Sequence, residues 1–191
     1  MSDYNVSEVK YMKVMFGTKS GASNFEYKIN EINVADIWNP KETDPDKMGG
    51  FNFSTETKIL RWLVRGDTIY DVKVPEGAEL IDVPHNTTPH GVFRANKIII
   101  SNPRPITDEM AMHLYKVSDI PEKSYYKALA GLAIRGCIDT CKLLIKEKIN
   151  KDNIDFVLSE INDFTTPNDY NHGNQEVFDE VMNILMDIKN S

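Results

Sequence analysis

The spacing of apolar residues changes once along the chain. Over residues 1–106, short segments alternate apolar and polar side chains, as in "EVKYMKVMF" and "DTIYDVKV", a period of two that is typical of β-strands. From Thr107 onward, apolar residues recur about every 3.6 positions, which is typical of amphipathic helices. The pattern predicts an α+β protein. A mixed or antiparallel sheet with one embedded helix occupies residues 1–106, and a helical region over residues 107–191 packs on it.

The embedded helix is predicted directly after the strand-like segment "GGFNF". Ser54 or Thr55 is suited to cap its N-terminus, because a hydroxyl oxygen can accept a hydrogen bond from a free backbone N–H. Gly66 is predicted to end the helix in the left-handed conformation. The apolar residues between these positions form the predicted buried stripe: Ile59, Leu60, Leu63 and Val64.

Polar residues gather at the start of the segment "PHGVFRANKIII". Read as one continuous strand, it places Val92, Arg94, Asn96, Ile98 and Ile100 on one face. An arginine can donate two hydrogen bonds to a phosphate or carboxylate, and an asparagine can hold a sugar hydroxyl or an amide. This strand end is therefore a candidate binding rim for an anion, a nucleotide or a peptide carboxylate.

The candidate ligand-binding residues are Ser54, Thr55, His90, Arg94 and Asn96, where His90 would add a group that titrates near neutral pH. No catalytic residue is assigned, because the chain contains neither a phosphate-binding loop motif nor a nucleophile-elbow motif. A structural role for the same residues stays open. In that alternative the two hydroxyls cap the helix and the asparagine satisfies a loop backbone.

The structural alternative also has a specific form for the arginine. Arg94 would then pair with a local acid such as Asp71 or Asp82 instead of holding a ligand. The two cysteines, Cys137 and Cys141, stand four apart, which places both on one helix face. They are interpreted as small buried groups, and no metal site is predicted because the histidines have no ligand spacing.

Charge and composition narrow the class of protein. The chain has 29 acidic and 22 basic residues, a net charge of −7, and no basic block of the kind that nucleic-acid binding requires. It has no run of ~18 apolar residues that would span a membrane and no apolar signal core near its start. We expect a cytoplasmic protein with a protein partner and without nucleic acid. The oligomeric state is left open.

Three segments together resemble a known kind of domain: "GGFNFST", "RWLVRGDTIYDVKVP" and "FRANKIII". They are similar to the N-terminal domain found ahead of repeats in large DNA-virus proteins of the giant-virus kind, and in related phage and bacterial hypothetical proteins. The resemblance covers roughly residues 10–106. Together with the lack of any complete catalytic motif, it favours a non-enzymatic interaction module, viral or phage-encoded, that binds a host protein and needs no cofactor. A viral protein would work in the host cytoplasm.

A weaker resemblance suggests the alternative function. "MFGTKSG", "GGFNFSTETKIL" and "RANKIII" are similar in order to the three strand motifs of ADP-ribosyltransferases. Phe16 stands where that family has a histidine, and "FRANKIII" lacks the family's glutamate. The resemblance implies a nucleotide-binding or ADP-ribosyltransferase-like protein that uses NAD at a rim formed by Gly50–Ser54 and Arg94–Asn96.

Overall fold

A computed structural model describes residues 9–19, 25–83, 91–162 and 173–191. The protein is α+β, as the pattern predicts, with an antiparallel sheet in the N-terminal half and helices toward the C-terminus. The sheet has seven strands in the spatial order β2-β7-β4-β1-β3-β6-β5. They are β1 (Tyr11–Met15), β2 (Ile32–Val34), β3 (Phe51–Thr55), β4 (Thr68–Lys73), β5 (Leu80–Asp82), β6 (Val92–Ala95) and β7 (Lys97–Pro105).

The 3-10 helix and the helices after residue 107 form a layer on one side of this sheet. A 3-10 helix (Ile59–Arg65) follows β3, and a short α-helix precedes β3. The α-helices are α1 (Pro45–Met48), α2 (Asp108–Val117), α3 (Glu122–Ile134), α4 (Ile138–Lys148), α5 (Ile154–Asn162) and α6 (Gln175–Asn190). Within the ranges given above, no helix is long and apolar enough to cross a membrane.

The sheet is strongly curled, as the connection between β6 and β7 shows. Only Asn96 joins them, yet three strands lie between them in the sheet. In a flat sheet they would be ~19 Å apart, whereas one residue spans about 3.5 Å. The backbone of Asn96 joins the two edges of the sheet. Its carbonyl accepts from the N–H of Ala35, the residue after edge strand β2, at 2.9 Å. Its N–H donates to the carbonyl of Glu79, the residue before edge strand β5, at 3.2 Å.

The break at Asn96 corrects the prediction of one continuous strand. Because the chain changes strand there, Arg94 and Ile98 do not share a face. Ile98 and Ile100 point into a core on the concave side of the sheet, while Arg94 stands opposite Asn52 on the other side. The concave core is formed by Met15, Tyr27, Phe51, Phe53, Tyr70, Val72, Ala95, Ile98 and Ile100.

The second, larger core lies between the sheet and the helices. Met12 and Val14 of β1 and Ile69 of β4 contribute to it from the sheet. The helices contribute mainly aliphatic residues, and α3, with its small residues Ala128 and Ala133, is almost entirely buried. Two cores on opposite faces explain why strand β1 is buried on both sides.

The embedded helix differs from its prediction at both ends. Ser54 and Thr55 belong to β3 and do not cap a helix, because β-ladders to Val92 and Tyr11 keep them extended. The helix begins at Ile59 as a 3-10 helix without a side-chain cap. Gly66 is extended, with φ of −178°, so the predicted left-handed ending is wrong. The buried stripe is confirmed: Ile59, Leu60, Leu63 and Val64 are all buried.

Asp108, the first residue of α2, also holds the start of α4. Its Oδ2 accepts a hydrogen bond from the Asp139 N–H at 2.7 Å, and its Oδ1 accepts from the Thr140 N–H at 3.0 Å. The Thr140 hydroxyl donates to the same Oδ1 at 2.5 Å. A carboxylate from one helix therefore satisfies the free N–H groups at the beginning of another.

Replacing Asp108 with alanine is expected to lower the free energy of unfolding by about 1–2 kcal/mol, since the first turn of α4 loses its acceptor. The matched control is Glu109→Ala, because Glu109 is exposed in the same turn and bonds to neither Asp139 nor Thr140. Urea denaturation of the two variants measures the difference. Equal midpoints for both would show that Asp108 does not stabilise α4.

Candidate functional site

A small cleft opens where β1 and β3 separate, beside the 3-10 helix. Its volume is about 80 Å³. It is lined by two cationic side chains, two uncharged polar ones and five apolar ones: Lys13, Arg65, Asn52, Ser54, Val14, Phe53, Ile59, Trp62 and Val92. None of these lining residues is acidic. The cleft therefore combines positive charge with an apolar wall.

The end of the β1–β3 pairing leaves Lys13 beside the gap between the two strands. The pairing of β1 with β3 joins Tyr11 to Thr55 and Met12 to Ser54, and Lys13 is the next residue along β1. Lys13 pairs with Tyr70 of β4 but has no partner in β3, and on that side its side chain contacts Asn52. The ammonium nitrogen Nζ donates to the Asn52 backbone carbonyl at 2.6 Å and to its side-chain Oδ1 at 2.7 Å. Lys13 is only 5% exposed.

The surroundings of Lys13 disfavour its charge. Burial lowers the pKa of Lys13 to about 7, and the nearby positive charge of Arg94 adds to this effect. The Lys13 nitrogen lies 5.3 Å from the centre of the Tyr27 ring. No carboxylate in the described part of the chain forms an ion pair with it. Lys13 is thus a buried amine held by neutral groups.

Arg65 provides the permanent charge of the cleft. It is exposed at the end of the 3-10 helix. Its side chain makes no hydrogen bond or ion pair with any residue that the structure describes. Beside it, Trp62 and Ile59 of the same helix form the apolar wall. A guanidinium in this position can donate two parallel hydrogen bonds to a bound oxyanion.

One of the predicted site residues, Ser54, lines this cleft, and a second, Arg94, lies on the neighbouring strand. Ser54 stands opposite Val92, and Asn52 stands opposite Arg94, so Ser54 and Arg94 lie on the same side of neighbouring strands. Ser54 lines the cleft, where its hydroxyl donates to the Gly91 carbonyl at 2.5 Å. The Nη1 group of Arg94 donates to the Gly49 carbonyl at 2.9 Å.

Arg94, Thr55 and Asn96 lie outside the cleft lining. The Thr55 hydroxyl is 3.2 Å from that of Thr57. The Asn96 Oδ1 accepts from the Glu79 N–H at 2.9 Å, at the junction that closes the curled sheet. His90 lies outside the described residues. The candidate rim is thus divided between a cleft and a sheet junction.

Asp71, one of the two acids considered as a partner of Arg94, pairs with Arg104 instead. Asp71 accepts two hydrogen bonds from Arg104, at 2.5 and 3.0 Å, and a third from Asn102 at 2.9 Å. These bonds, first among them those from Arg104, hold the pKa of the Asp71 carboxyl below its usual value. Asp82, the other acid considered, accepts from the Gly91 N–H at 3.1 Å.

Lys13, Asn52 and Arg65 are the cleft residues that the sequence reading missed. The signal for Lys13 is its place in the alternation of "YMKVM", where Tyr11 and Met15 share its face and both pack on the concave core. A lysine at such a position has to be explained, because lysine is almost never fully buried. Nothing in the local sequence indicates that Arg65 faces the same point.

The cysteines contribute no chemistry of this kind. Cys137 and Cys141 are both buried and free, which confirms their interpretation as small core residues. Burial raises the pKa of Cys137 to about 12 and that of Cys141 well above its usual value, so both stay as thiols. The part of the chain that the structure describes contains no group of three or more potential metal ligands.

Comparisons with protein-family models, with curated proteins and with solved structures find no match to this chain. The resemblances to giant-virus domains and to ADP-ribosyltransferases therefore stay predictions. The function has to be argued from the geometry of the cleft.

Proposed function

We propose that the protein is a binding module that holds a small oxyanion, a carboxylate or a phosphate group, in the cleft between β3 and the 3-10 helix. The observation that carries the proposal is the composition of the cleft lining, which contains Lys13 and Arg65 and, among the residues that the structure describes, no acidic residue. The chain as a whole has seven more acidic than basic residues. The cleft lining is therefore basic although the net charge of the whole chain is negative.

The cleft lining offers hydrogen-bond donors to a bound anion. Arg65 can bind it through two N–H groups. The Asn52 side chain accepts from Lys13 through its Oδ1, which leaves its amide N–H groups as donors. Ser54 is not counted among the donors, because its hydroxyl hydrogen is given to Gly91. Arg94 strengthens the local positive potential that Lys13 experiences.

The size of the cleft limits what enters it. Pockets that enclose a whole drug-sized ligand measure about 300–1,000 Å³, whereas this cleft measures about 80 Å³. It fits the anionic end of a ligand and leaves the rest outside. A nucleotide such as NAD would present a phosphate, and a partner protein would present a carboxylate, so both functions considered for the sequence share one recognition chemistry.

The proposal favours binding over ADP-ribosyl transfer. That transfer needs a carboxylate to stabilise the positive charge that develops on the ribose, and none of the lining residues within the described ranges supplies one. The non-enzymatic interaction module is therefore retained as the proposed class. A viral or phage origin and a cytoplasmic location are proposed on the sequence alone.

Arg65→Ala is the variant that tests the site. We expect inorganic phosphate, ADP-ribose, NAD or acetate to raise the melting temperature of the protein, and we expect the variant to bind the effective ligand about tenfold more weakly. That ratio corresponds to the ~1.4 kcal/mol typical of a charged hydrogen bond. Titrations followed by thermal shift or calorimetry measure both proteins. Lys116→Ala, which removes an exposed positive charge from α2, is the matched control.

The ligands distinguish the two sources of the anion. A response to phosphate, ADP-ribose or NAD that acetate does not give would favour a nucleotide, and the reverse would favour a carboxylate from a protein. Equal affinities in wild type and Arg65→Ala, or an equal loss in Lys116→Ala, would contradict the proposed site.

A further inference from the structure

We propose that Lys13 is a nucleophilic amine that forms an imine with a small oxo acid, an aldehyde or ketone that also bears a carboxylate, bound in the cleft. The inference rests on the proposed function, because the bound anion would place the carbonyl carbon beside the lysine. It adds a covalent activity to a site that is otherwise proposed only to bind.

The hydrogen bonds of Lys13 match those of a neutral amine. A neutral amine has two N–H groups and one lone pair, whereas an ammonium group has three donors and no lone pair. Lys13 has two acceptors among the described residues, and both belong to Asn52. With its two N–H groups directed to Asn52, the neutral amine is fully satisfied and its lone pair remains for a carbonyl carbon.

The neighbouring charges act in the same direction. Arg94 lies close enough to disfavour a second positive charge, and Arg65 lines the same cleft. Burial, with a smaller effect of Arg94, lowers the pKa of Lys13 to about 7. About half of the Lys13 side chains are then neutral near pH 7, compared with about one in a thousand for an ordinary lysine. Burial and an adjacent cation are the two means by which proteins activate a lysine nucleophile.

Both arginines stay charged at this pH, because a guanidinium does not lose its proton in proteins. Anion binding and nucleophilic attack therefore belong to different side chains, because a lysine cannot carry a positive charge and a free lone pair at the same time. Arg65 holds the carboxylate of the oxo acid, and Lys13 attacks its carbonyl group. The small volume, about 80 Å³, restricts the ligand to a few non-hydrogen atoms inside the cleft.

The reaction needs no oxidant or reductant. The Lys13 nitrogen forms a bond to the carbonyl carbon, and the π electrons of the carbonyl move to its oxygen. Proton transfer from nitrogen to oxygen gives a carbinolamine, which loses one molecule of water to give the imine. The apolar side chains of Ile59, Trp62 and Val92 at the same cleft limit the return of water.

The test uses glyoxylate, the smallest such oxo acid, with cyanoborohydride to reduce any imine to a stable carboxymethyl-lysine. The wild-type protein is treated briefly at about neutral pH, and mass spectrometry of its peptides compares Lys13 with Lys10, whose side chain is 69% exposed. We expect Lys13 to be modified about tenfold faster or more, because of its larger neutral fraction. Lys13→Arg keeps a charged donor at this position and is expected to lose the rapid phase.

Glycolate, which has the carboxylate but no carbonyl, separates this inference from the proposed function. We expect it to slow the modification of Lys13. If glycolate stabilises the protein through Arg65 but Lys13 is modified no faster than Lys10, the imine inference is overturned and the anion site stands. If Lys13 reacts rapidly but glycolate gives no protection, Lys13 is a nucleophilic amine, but the proposed anion site is overturned and with it the binding of the oxo acid through its carboxylate.

Discussion

Replacing Gly66 with alanine is expected to lower the free energy of unfolding by about 4 kcal/mol. The chain leaves the 3-10 helix at Gly66 and passes directly over the backbone of Met15. An added Cβ would lie 2.3–2.5 Å from the carbonyl carbon, oxygen and nitrogen of Met15. These atoms belong to a central strand that cannot yield, so overpacking strains the sheet. For a protein of this size the loss corresponds to roughly 8–16 °C in melting temperature.

Gly77→Ala is the matched control for this variant. Gly77 has a positive φ of 74°, but nothing lies within 4 Å of its added Cβ, so its replacement tests backbone strain without a clash. We expect a cost of about 1 kcal/mol there. Thermal denaturation followed by circular dichroism compares the two variants. If Gly66→Ala were as stable as Gly77→Ala, the close approach of Gly66 to Met15 would not be a constraint on the fold.

The contrast between the two halves of the chain was predictable, because the period of apolar residues reflects local geometry. β4 and the buried stripe of the 3-10 helix follow directly from that period. The ends of the embedded helix did not follow from it. Ser54 and Thr55 are good capping residues locally, but cross-strand hydrogen bonds to both neighbours hold them in β3. Tertiary pairing outweighs a capping preference worth about 1 kcal/mol.

The candidate site was predictable only in part, for a reason that Asn96 illustrates. The strand reading assumed that alternation continues from Arg94 to Ile98, but the curl of the sheet makes Asn96 a junction between two distant strands. Curling depends on how all seven strands pair, which a local pattern does not contain. Arg65 was missed for the same reason, since its place beside Lys13 arises from the packing of the 3-10 helix on β1.

Lys13→Met is expected to stabilise the protein, and more strongly at low pH than at high pH. Burial, with a smaller effect of Arg94, lowers the pKa of Lys13 to about 7 in the folded protein, compared with about 10.4 for an unfolded lysine. Below pH 7 both states are protonated, so folding bears the full cost of a buried charge. Between the two pKa values the unfolded chain binds more protons, so stability rises with pH.

Methionine has a stem of similar length and no charge, so the variant avoids that cost at every pH. It loses the two hydrogen bonds to Asn52, about 1–2 kcal/mol in total, and this loss does not depend on pH. The gain relative to wild type should therefore shrink by about 2–3 kcal/mol between about pH 6 and about pH 9. Melting temperatures at the two pH values, with urea midpoints, measure the change.

Lys73→Met removes an exposed lysine from the neighbouring strand β4 and should show the same difference from wild type at both pH values. A pH-independent effect of Lys13→Met would mean that Lys13 keeps its proton in the folded state, and it would also remove the free lone pair on which the imine inference depends. A pH-dependent gain would show that the chain retains a destabilising lysine in its cleft. A residue that lowers stability in this way is expected where binding or chemistry requires it.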